Sequence, residues 1–161
     1  MAELNQKIPA SKTIIRFSDC DPFNHLNNSK YIDYFLNARE DQLMSYYNFN
    51  VYAYAKQTGC GWVVGQHEIA YLKPAFTMET VIIESQILNW GEKEIHVEFR
   101  MWDKDTTKLK SLMWTKFYYY NLSTQKGETH SKEITEQFKS VEMKVDGMES
   151  FEKRIAVLKR K

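Results

Sequence analysis

The chain has 161 residues, of which 43% are hydrophobic and 27% are charged, the proportions of an ordinary water-soluble globular protein. Its formal net charge of +1 argues against a nucleic-acid binder that works through bulk positive charge. Two cysteines, Cys20 and Cys60, make no disulfide framework, and no signal-peptide pattern or membrane-length apolar run is present. We therefore expect one cytoplasmic domain over residues 1–161, without a membrane span.

The first half of the chain predicts a strand, a polar loop and one long helix. Residues 13–17 are rich in β-branched side chains and are short enough for a strand. Asp, Asn and Pro crowd residues 18–28, as in a turn, and Asn27 or Asn28 is placed to cap a following helix. Apolar residues then recur at helical spacing, so the pattern predicts a helix over 29–47.

The second half of the chain changes to the alternating pattern of strands. Short turns separate segments rich in β-branched and aromatic residues, which is typical of an antiparallel meander; the predicted strands are 62–72, 80–90, 95–102 and 109–121. A helical extension over about 131–161 follows, with a turn at Gly147. Because an apolar helix must be covered, the sequence predicts an α+β fold in which a curved antiparallel sheet wraps the helix, with its core over about 12–122.

The densest group of polar residues lies in the loop before the long helix. Asp19, Asp21 and His25 stand there beside the helix N-terminus. A carboxylate can activate water or attack a carbonyl carbon, and the N–H groups at a helix start stabilise the oxyanion that develops. The spacing alone leaves open that the aspartates and asparagines are only turn and cap residues.

This loop resembles the signature of the hotdog-fold thioesterases of the 4-hydroxybenzoyl-CoA thioesterase and acyl-CoA thioesterase family. The matching residues are Asp19, Asp21, His25, Asn27, Asn28 and Tyr31. A second stretch, residues 71–75, is similar to the proline turn of the same family. The resemblance covers about residues 14–121. It implies a hotdog fold paired with a second copy, with the active site between the protomers.

The same resemblance implies an acyl-CoA thioesterase that needs no metal and no cofactor. Asp21 matches the family's catalytic aspartate, which acts as general base or nucleophile on a thioester carried by CoA or an acyl carrier protein. Asn24 stands where the family usually has glycine, so we expect a positive φ there, which Asn tolerates best among residues with a Cβ. Glu79 is expected to replace an acidic residue that the family often has after the proline turn.

Five residues are predicted to bind the substrate: Asn24, Asn28, Tyr31, Gly65 and His67. The first three belong to the loop that carries the resemblance. Gly65 permits a close backbone approach in a strand. His67 lies in a strand that should face the helix, where it either lines the pocket or is satisfied by hydrogen bonds within the sheet.

The other histidines divide into one site candidate and two surface residues. His25 is predicted to be catalytic, either by polarising the thioester or by binding water, with a loop-fixing hydrogen bond as the alternative. His96 and His130 are expected to be exposed. The basic residues near the C-terminus are expected to form a solvated helix face; they are Lys153, Arg154, Lys159, Arg160 and Lys161.

Two alternatives to hydrolysis remain at this point. One is a non-catalytic acyl-thioester binding protein, and the other is an acyl-thioester hydratase or dehydratase on the same fold. The strands also carry more aromatic side chains than one helix can cover on both faces of a sheet: Trp102, Trp114, Tyr118 and Tyr120. This load predicts a homodimer or a homotetramer.

Overall fold

The computed structural model describes residues 6–160 of the chain. The helices and strands are β1 (Ala10–Ile14), α1 (Tyr31–Tyr47), α2 (Val51–Thr58), β2 (Cys60–Tyr71), β3 (Thr80–Trp90), β4 (Glu94–Asp103), β5 (Leu109–Asn121), β6 (Lys126–Gly127), α3 (Lys132–Val141) and α4 (Phe151–Leu158). Short 3-10 turns at Phe17–Asp19 and Asn28–Lys30 flank the polar loop. The predicted long helix, the four long strands and the C-terminal helices are thus confirmed.

The strands form one antiparallel sheet in the order β1-β3-β4-β5-β2, with β6 paired to the end of β5. β3, β4 and β5 are the predicted meander, and β2 and β1 are the two edges. The first strand lies three residues earlier than the predicted 13–17. β1 pairs with β3 from Ala10 to Ile14, and residues 17–19 turn towards the polar loop.

One face of the sheet, here called the inner face, packs against α1. The helix buries a stripe at helical spacing: Tyr31, Phe35, Ala38, Arg39 and Gln42. Phe35 has no exposed surface, and its ring centroid lies 5.6 Å from that of Phe99 on β4. Asn48 ends the helix in the left-handed region, at φ 50°. Burial of this stripe positions the helix N-terminus, and with it the polar loop, at one end of the sheet.

The opposite face of the sheet, the outer face, is covered by α4. Phe151 of that helix lies 5.3 Å from Trp114, and both Trp102 and Trp114 are only 8% exposed. The reasoning that these tryptophans need a partner chain is therefore wrong, because the chain's own C-terminal helix covers them. Tyr118 of the same prediction does remain substantially exposed.

A buried network of ion pairs and hydrogen bonds joins α4 to the outer face. We call it the Glu98 cluster: Glu98, Arg100, Trp114 and Arg154. Arg154 donates to both oxygens of Glu98, at 2.9 and 2.8 Å, Trp114 donates at 2.8 Å, and Arg100 donates as well. The expectation that Arg154 is solvated is wrong: its positive charge is neutralised in the interior. Lys161 lies outside the described residues.

Two further features differ from the sequence-based expectation. α2 was not predicted; Asn50 caps it by accepting from the N–H groups of Tyr52 and Ala53, and Gly59 ends it at φ 71°. His130 is buried and His96 is half-buried, so neither is exposed as expected. The Nε2 of His130 accepts from the indole N–H of Trp62 at 3.0 Å, and its Nδ1 lies 3.0 Å from the carbonyl oxygen of Gly91.

Candidate active site

The polar loop is a tight, internally hydrogen-bonded turn. Cys20 and Leu26 form a β-bridge across it, and between them the Asp21 N–H donates to the His25 carbonyl at 2.8 Å. Asn24 closes the turn at φ 66°, which confirms the predicted positive φ. Because Asn enters the left-handed region more readily than other residues with a Cβ, the loop keeps its shape without the glycine.

Asp21 is fixed through one of its two carboxylate oxygens. Oδ1 accepts from the N–H of Phe23 at 2.9 Å and from the N–H of His25 at 3.1 Å. No residue between 6 and 160 donates a hydrogen bond to Oδ2, and the side chain is half-buried. The carboxylate is therefore oriented by the backbone and retains one oxygen that can accept a proton or attack a carbon.

The neighbouring carboxylate, Asp19, is engaged differently. Its Oδ2 accepts from the hydroxyl of Tyr34 on α1 at 2.8 Å, and that hydroxyl also accepts from the N–H of Arg16 at 2.9 Å. Burial raises the pKa of Tyr34, and the carboxylate of Asp19 acts in the same direction. Asp19 thus ties the loop to the helix, which makes it a structural counterpart to Asp21.

His25 contributes to the loop through its backbone. Its ring packs edge-on against Phe76, with centroids 5.1 Å apart, and its ring nitrogens make no hydrogen bond with the described residues. A loop-fixing hydrogen bond from the imidazole is therefore absent from residues 6–160. The ring therefore stands against Phe76 with neither nitrogen engaged by a described residue.

The proline turn supports the loop from the other side. Leu26 donates its N–H to the carbonyl of Ala75 at 2.8 Å, and His25 forms a β-bridge with Phe76. Glu79 accepts from the Phe76 N–H at 2.8 Å and pairs with Lys110 at 2.7 Å. The carboxylate of Glu79 is thus already used in holding the turn that carries Phe76.

Asn28 and Tyr31 lie next to this loop but present different groups. The side chain of Asn28 is exposed, while its carbonyl accepts from the Tyr71 hydroxyl at 3.1 Å. Tyr31 is only 2% exposed, burial raises its pKa, and its hydroxyl accepts from the Ala75 N–H at 3.3 Å. Tyr31 therefore holds the proline turn against α1, and Asn28 stands at the surface.

Gly65 and His67 lie on β2 and have no hydrogen bond to the loop. The expected close approach at Gly65 is present: a Cβ there would lie 2.1 Å from the ring of Tyr118. His67 faces the helix side, where its Nδ1 lies 2.9 Å from the hydroxyl of Thr115, and burial lowers its pKa. This hydrogen bond matches the alternative of a histidine satisfied within the sheet.

Large apolar side chains surround the loop at the surface. Phe17 and Phe23 are 80% and 78% exposed, and Phe76, Met78 and Tyr71 are also exposed. So many exposed apolar residues close together are typical of a surface that meets a ligand or another protein. We call these five residues the apolar rim.

A cavity that the sequence did not predict lies on the inner side of the sheet. This inner cavity, of about 550 Å³, lies between α1, α2, α3 and the inner face, and no residue of the loop 18–30 lines it. Arg39 is its buried cationic residue. The sequence held one signal of this cavity, a charged residue within the apolar stripe of the predicted helix, since such residues are rarely buried without a partner.

The described residues hold neither a candidate metal site nor a membrane-spanning helix. Between residues 6 and 160, no group of three or more His, Cys, Asp and Glu side chains is arranged to hold a metal ion. None of the helices in that range is long and apolar enough to span a membrane.

Comparison with known proteins gives one family and many solved structures. A family model described as the thioesterase-like superfamily matches residues 15–143. No curated protein matches the chain. Among solved structures, the probable thioesterase YbaW of Escherichia coli is 21% identical, with a TM-score of 0.72, over 84% of this chain and 99% of its own.

Two structures from Staphylococcus aureus are also similar. A DHNA-CoA thioesterase is 18% identical, with a TM-score of 0.75, over 83% of this chain and 90% of its own. A hypothetical protein in complex with CoA is 12% identical, with a TM-score of 0.76, over 90% of each chain. At these identities the structures establish a shared fold, and they confirm the predicted hotdog arrangement of one helix wrapped by a curved antiparallel sheet.

Proposed function

Because the chain belongs to the thioesterase-like superfamily, whose general reaction is thioester hydrolysis, we propose that it hydrolyses an acyl-CoA thioester with Asp21 as the catalytic carboxylate. The observation that carries this proposal is the state of Asp21. One carboxylate oxygen is fixed by two backbone N–H groups, and the other accepts nothing from residues 6–160. The loop that holds it has the positive φ that its resemblance to the family requires.

In the proposed reaction, Oδ2 of Asp21 takes a proton from water while the water oxygen attacks the thioester carbonyl carbon. The tetrahedral oxyanion then collapses, the carbon–sulfur bond breaks, and the CoA sulfur receives the proton from Asp21. In the nucleophilic alternative, Oδ2 attacks the carbon, CoA leaves, and water hydrolyses the resulting anhydride. Both routes yield a free acid and CoA, and neither uses a metal or cofactor.

The remaining roles are assigned by position. Backbone N–H groups at a helix start are suited to the oxyanion, because preformed donors in a dry site stabilise developing charge. His25, in the same turn as Asp21 and with no described partner for its ring nitrogens, is assigned to polarise the thioester. Asn28, exposed beside the start of α1, is a candidate contact for the substrate. Gly65 and His67 would contact the substrate only if part of it lay along β2.

We also propose that the protein works as a homo-oligomer, because of an unpaired sheet edge and exposed apolar side chains and not because of Trp102 and Trp114. β2 is a long edge strand, and an unpaired edge is a template for pairing with another chain. The apolar rim beside the candidate site supplies a second surface for burial. Light scattering at micromolar concentration should give a dimer or a tetramer; a monomer would overturn this proposal and the shared active site.

The reaction is tested by following release of the CoA thiol from a panel of acyl-CoA esters with a thiol-detecting dye. Steady-state release with at least one ester is expected. Binding without thiol release would favour a non-catalytic acyl-thioester binding protein. A change in enoyl absorbance without thiol release would favour a hydratase or dehydratase. The same acyl group offered on an acyl carrier protein compares the two carriers.

A further inference from the structure

The cationic side chains in the interior are of two kinds. The buried ones in the described part of the chain are Arg39, Arg100, Lys110 and Arg154. Arg100 and Arg154 pair with Glu98, and Lys110 pairs with Glu79. Arg39 has no carboxylate within ion-pair distance among residues 6–160, although it is only 8% exposed.

The contacts of Arg39 leave part of its guanidinium free. Nη1 donates to the hydroxyl of Ser85 at 3.0 Å, and the guanidinium carbon lies 6.0 Å from the ring centroid of Tyr47. Burial lowers the pKa of Arg39, while the charge of Tyr47 and a hydrogen bond with its side chain oppose that change. A guanidinium carries five N–H donors in a planar fork, so this side chain has donors left for a ligand.

The inner cavity gives that fork an apolar neighbourhood. Its walls are mostly aliphatic and aromatic, and include Leu36, Leu43, Trp62, Val97, Phe117 and Phe138. Its volume of about 550 Å³ falls in the range of small-molecule sites, which are mainly apolar with a few placed polar groups. The combination of a long apolar wall and one buried cation matches an amphiphile with one negative charge.

Glu40 is the acidic residue of the lining, but it does not neutralise Arg39. The two are consecutive on α1, and side chains at i and i+1 point in different directions. A buried, unpaired cation is unfavourable, whereas a carboxylate can meet a guanidinium with two parallel hydrogen bonds. A ligand carboxylate would therefore provide the negatively charged partner that Arg39 lacks among the described residues.

We propose that the inner cavity binds a long-chain aliphatic monocarboxylate, with the carboxylate paired to Arg39 and the chain lying along the aromatic wall. The site is separate from the polar loop, since no residue of the loop 18–30 lines the cavity. It does not depend on the hydrolytic reaction, although a free carboxylic acid is also what that reaction releases.

Calorimetric titration of the full chain with dodecanoate and with dodecanol tests the proposal. Dodecanoate is expected to bind one to one, about tenfold more tightly than the alcohol, because only the acid offers charged hydrogen-bond acceptors to Arg39. Arg39→Met should remove that preference and leave the affinity for dodecanol unchanged. Equal affinities of the parent for the two ligands would show an apolar pocket in which Arg39 plays no part. Failure of both ligands to bind would indicate that the cavity is a contact surface for another protein chain. Either result overturns the proposal.

Three variants separate the effect of Arg39 from other causes. Glu40→Gln changes the other charge of the lining and should retain the preference for dodecanoate. Arg39→Lys, should the Met variant not fold, keeps the charge without the fork and should lose about half of the preference on a logarithmic scale. Asp21→Asn should bind dodecanoate like the parent, so that a failure of the catalytic proposal leaves this one standing. If Asp21→Asn abolished dodecanoate binding, the ligand would belong to the loop and the proposal would fail.

Discussion

The outer face of the sheet and the polar loop each hold a carboxylate in a network of hydrogen bonds, with opposite results. Glu98 has no exposed surface and accepts from four donors on three side chains, which uses the capacity of both oxygens. Asp21 is half-buried, accepts from two backbone N–H groups through one oxygen, and leaves the other oxygen open. A saturated carboxylate can only hold the fold together, whereas a half-engaged one can take part in chemistry.

The largest expected effect on stability comes from opening the Glu98 cluster. Glu98→Ala leaves the buried guanidinium of Arg154 without a carboxylate, while Arg100 keeps its pair with Glu84. Breaking a buried ion pair in this way costs about 3–5 kcal/mol. Urea denaturation should show this loss in the free energy of unfolding. Lys139 and Glu136 form an exposed pair on α3, so Glu136→Ala is the matched control and should cost under about 1 kcal/mol.

The Glu98 cluster also sets a dependence of stability on pH. Burial by itself raises the pKa of Glu98, but the hydrogen bonds and charges of Arg154 and Arg100 outweigh it and hold the pKa below its usual value. A lowered pKa in the folded state stabilises the fold above the ordinary pKa of glutamic acid, and this contribution is lost as the pH falls through the folded-state value. The free energy of unfolding, measured by denaturation across the acid range, should therefore depend less on pH in Glu98→Gln than in the parent.

A smaller loss is expected at His130, which is saturated in the same sense as Glu98. His130→Leu leaves the indole N–H of Trp62 without its acceptor, at a cost of about 1–3 kcal/mol. Burial lowers the pKa of His130, so its contribution is present above the ordinary histidine pKa and declines as the pH falls through the lowered value. His96→Leu is the control, because no described residue hydrogen-bonds to its ring; an equal loss there would contradict the assignment.

The smallest expected effect on stability lies in the polar loop. At φ 66°, Asn24→Gly should be nearly neutral, since glycine enters the left-handed region freely. Asn24→Val should cost about 1–2 kcal/mol, because its Cβ branches clash in that region. Thermal unfolding compares the two variants, and a Val variant as stable as the Gly variant would show that the turn does not need this conformation.

Local patterns in the sequence predicted the parts of the molecule that local forces determine. The helix over 29–47, the strands β3 and β5 and the backbone of Asn24 follow from side-chain spacing, turn residues and a motif. α2 was missed because it is short, although Asn50 and Gly59 mark its ends.

Long-range contacts were beyond what one sequence could predict. The burial of Arg154 depends on Glu98, 56 residues away, and the burial of His130 depends on Trp62, 68 residues away. The inner cavity requires three helices to meet the sheet, one of which was not predicted. The motif placed Asp21, Asn24 and His25 in one turn, but it could not show which oxygen of Asp21 remains open.

The most direct test of the account compares the rates of acyl-CoA hydrolysis in Asp21→Asn and Asp19→Asn. Both changes remove one negative charge from the same loop, but Asp19 is tied to α1 through the hydroxyl of Tyr34, whereas Asp21 is held only by backbone N–H groups of its own turn. We expect a folded Asp21→Asn oligomer whose rate falls roughly a hundredfold or more, the usual scale of general base catalysis, and a milder loss for Asp19→Asn. A rate for Asp21→Asn equal to that of the parent would contradict it and transfer the catalytic role elsewhere, with His25 the first residue to test.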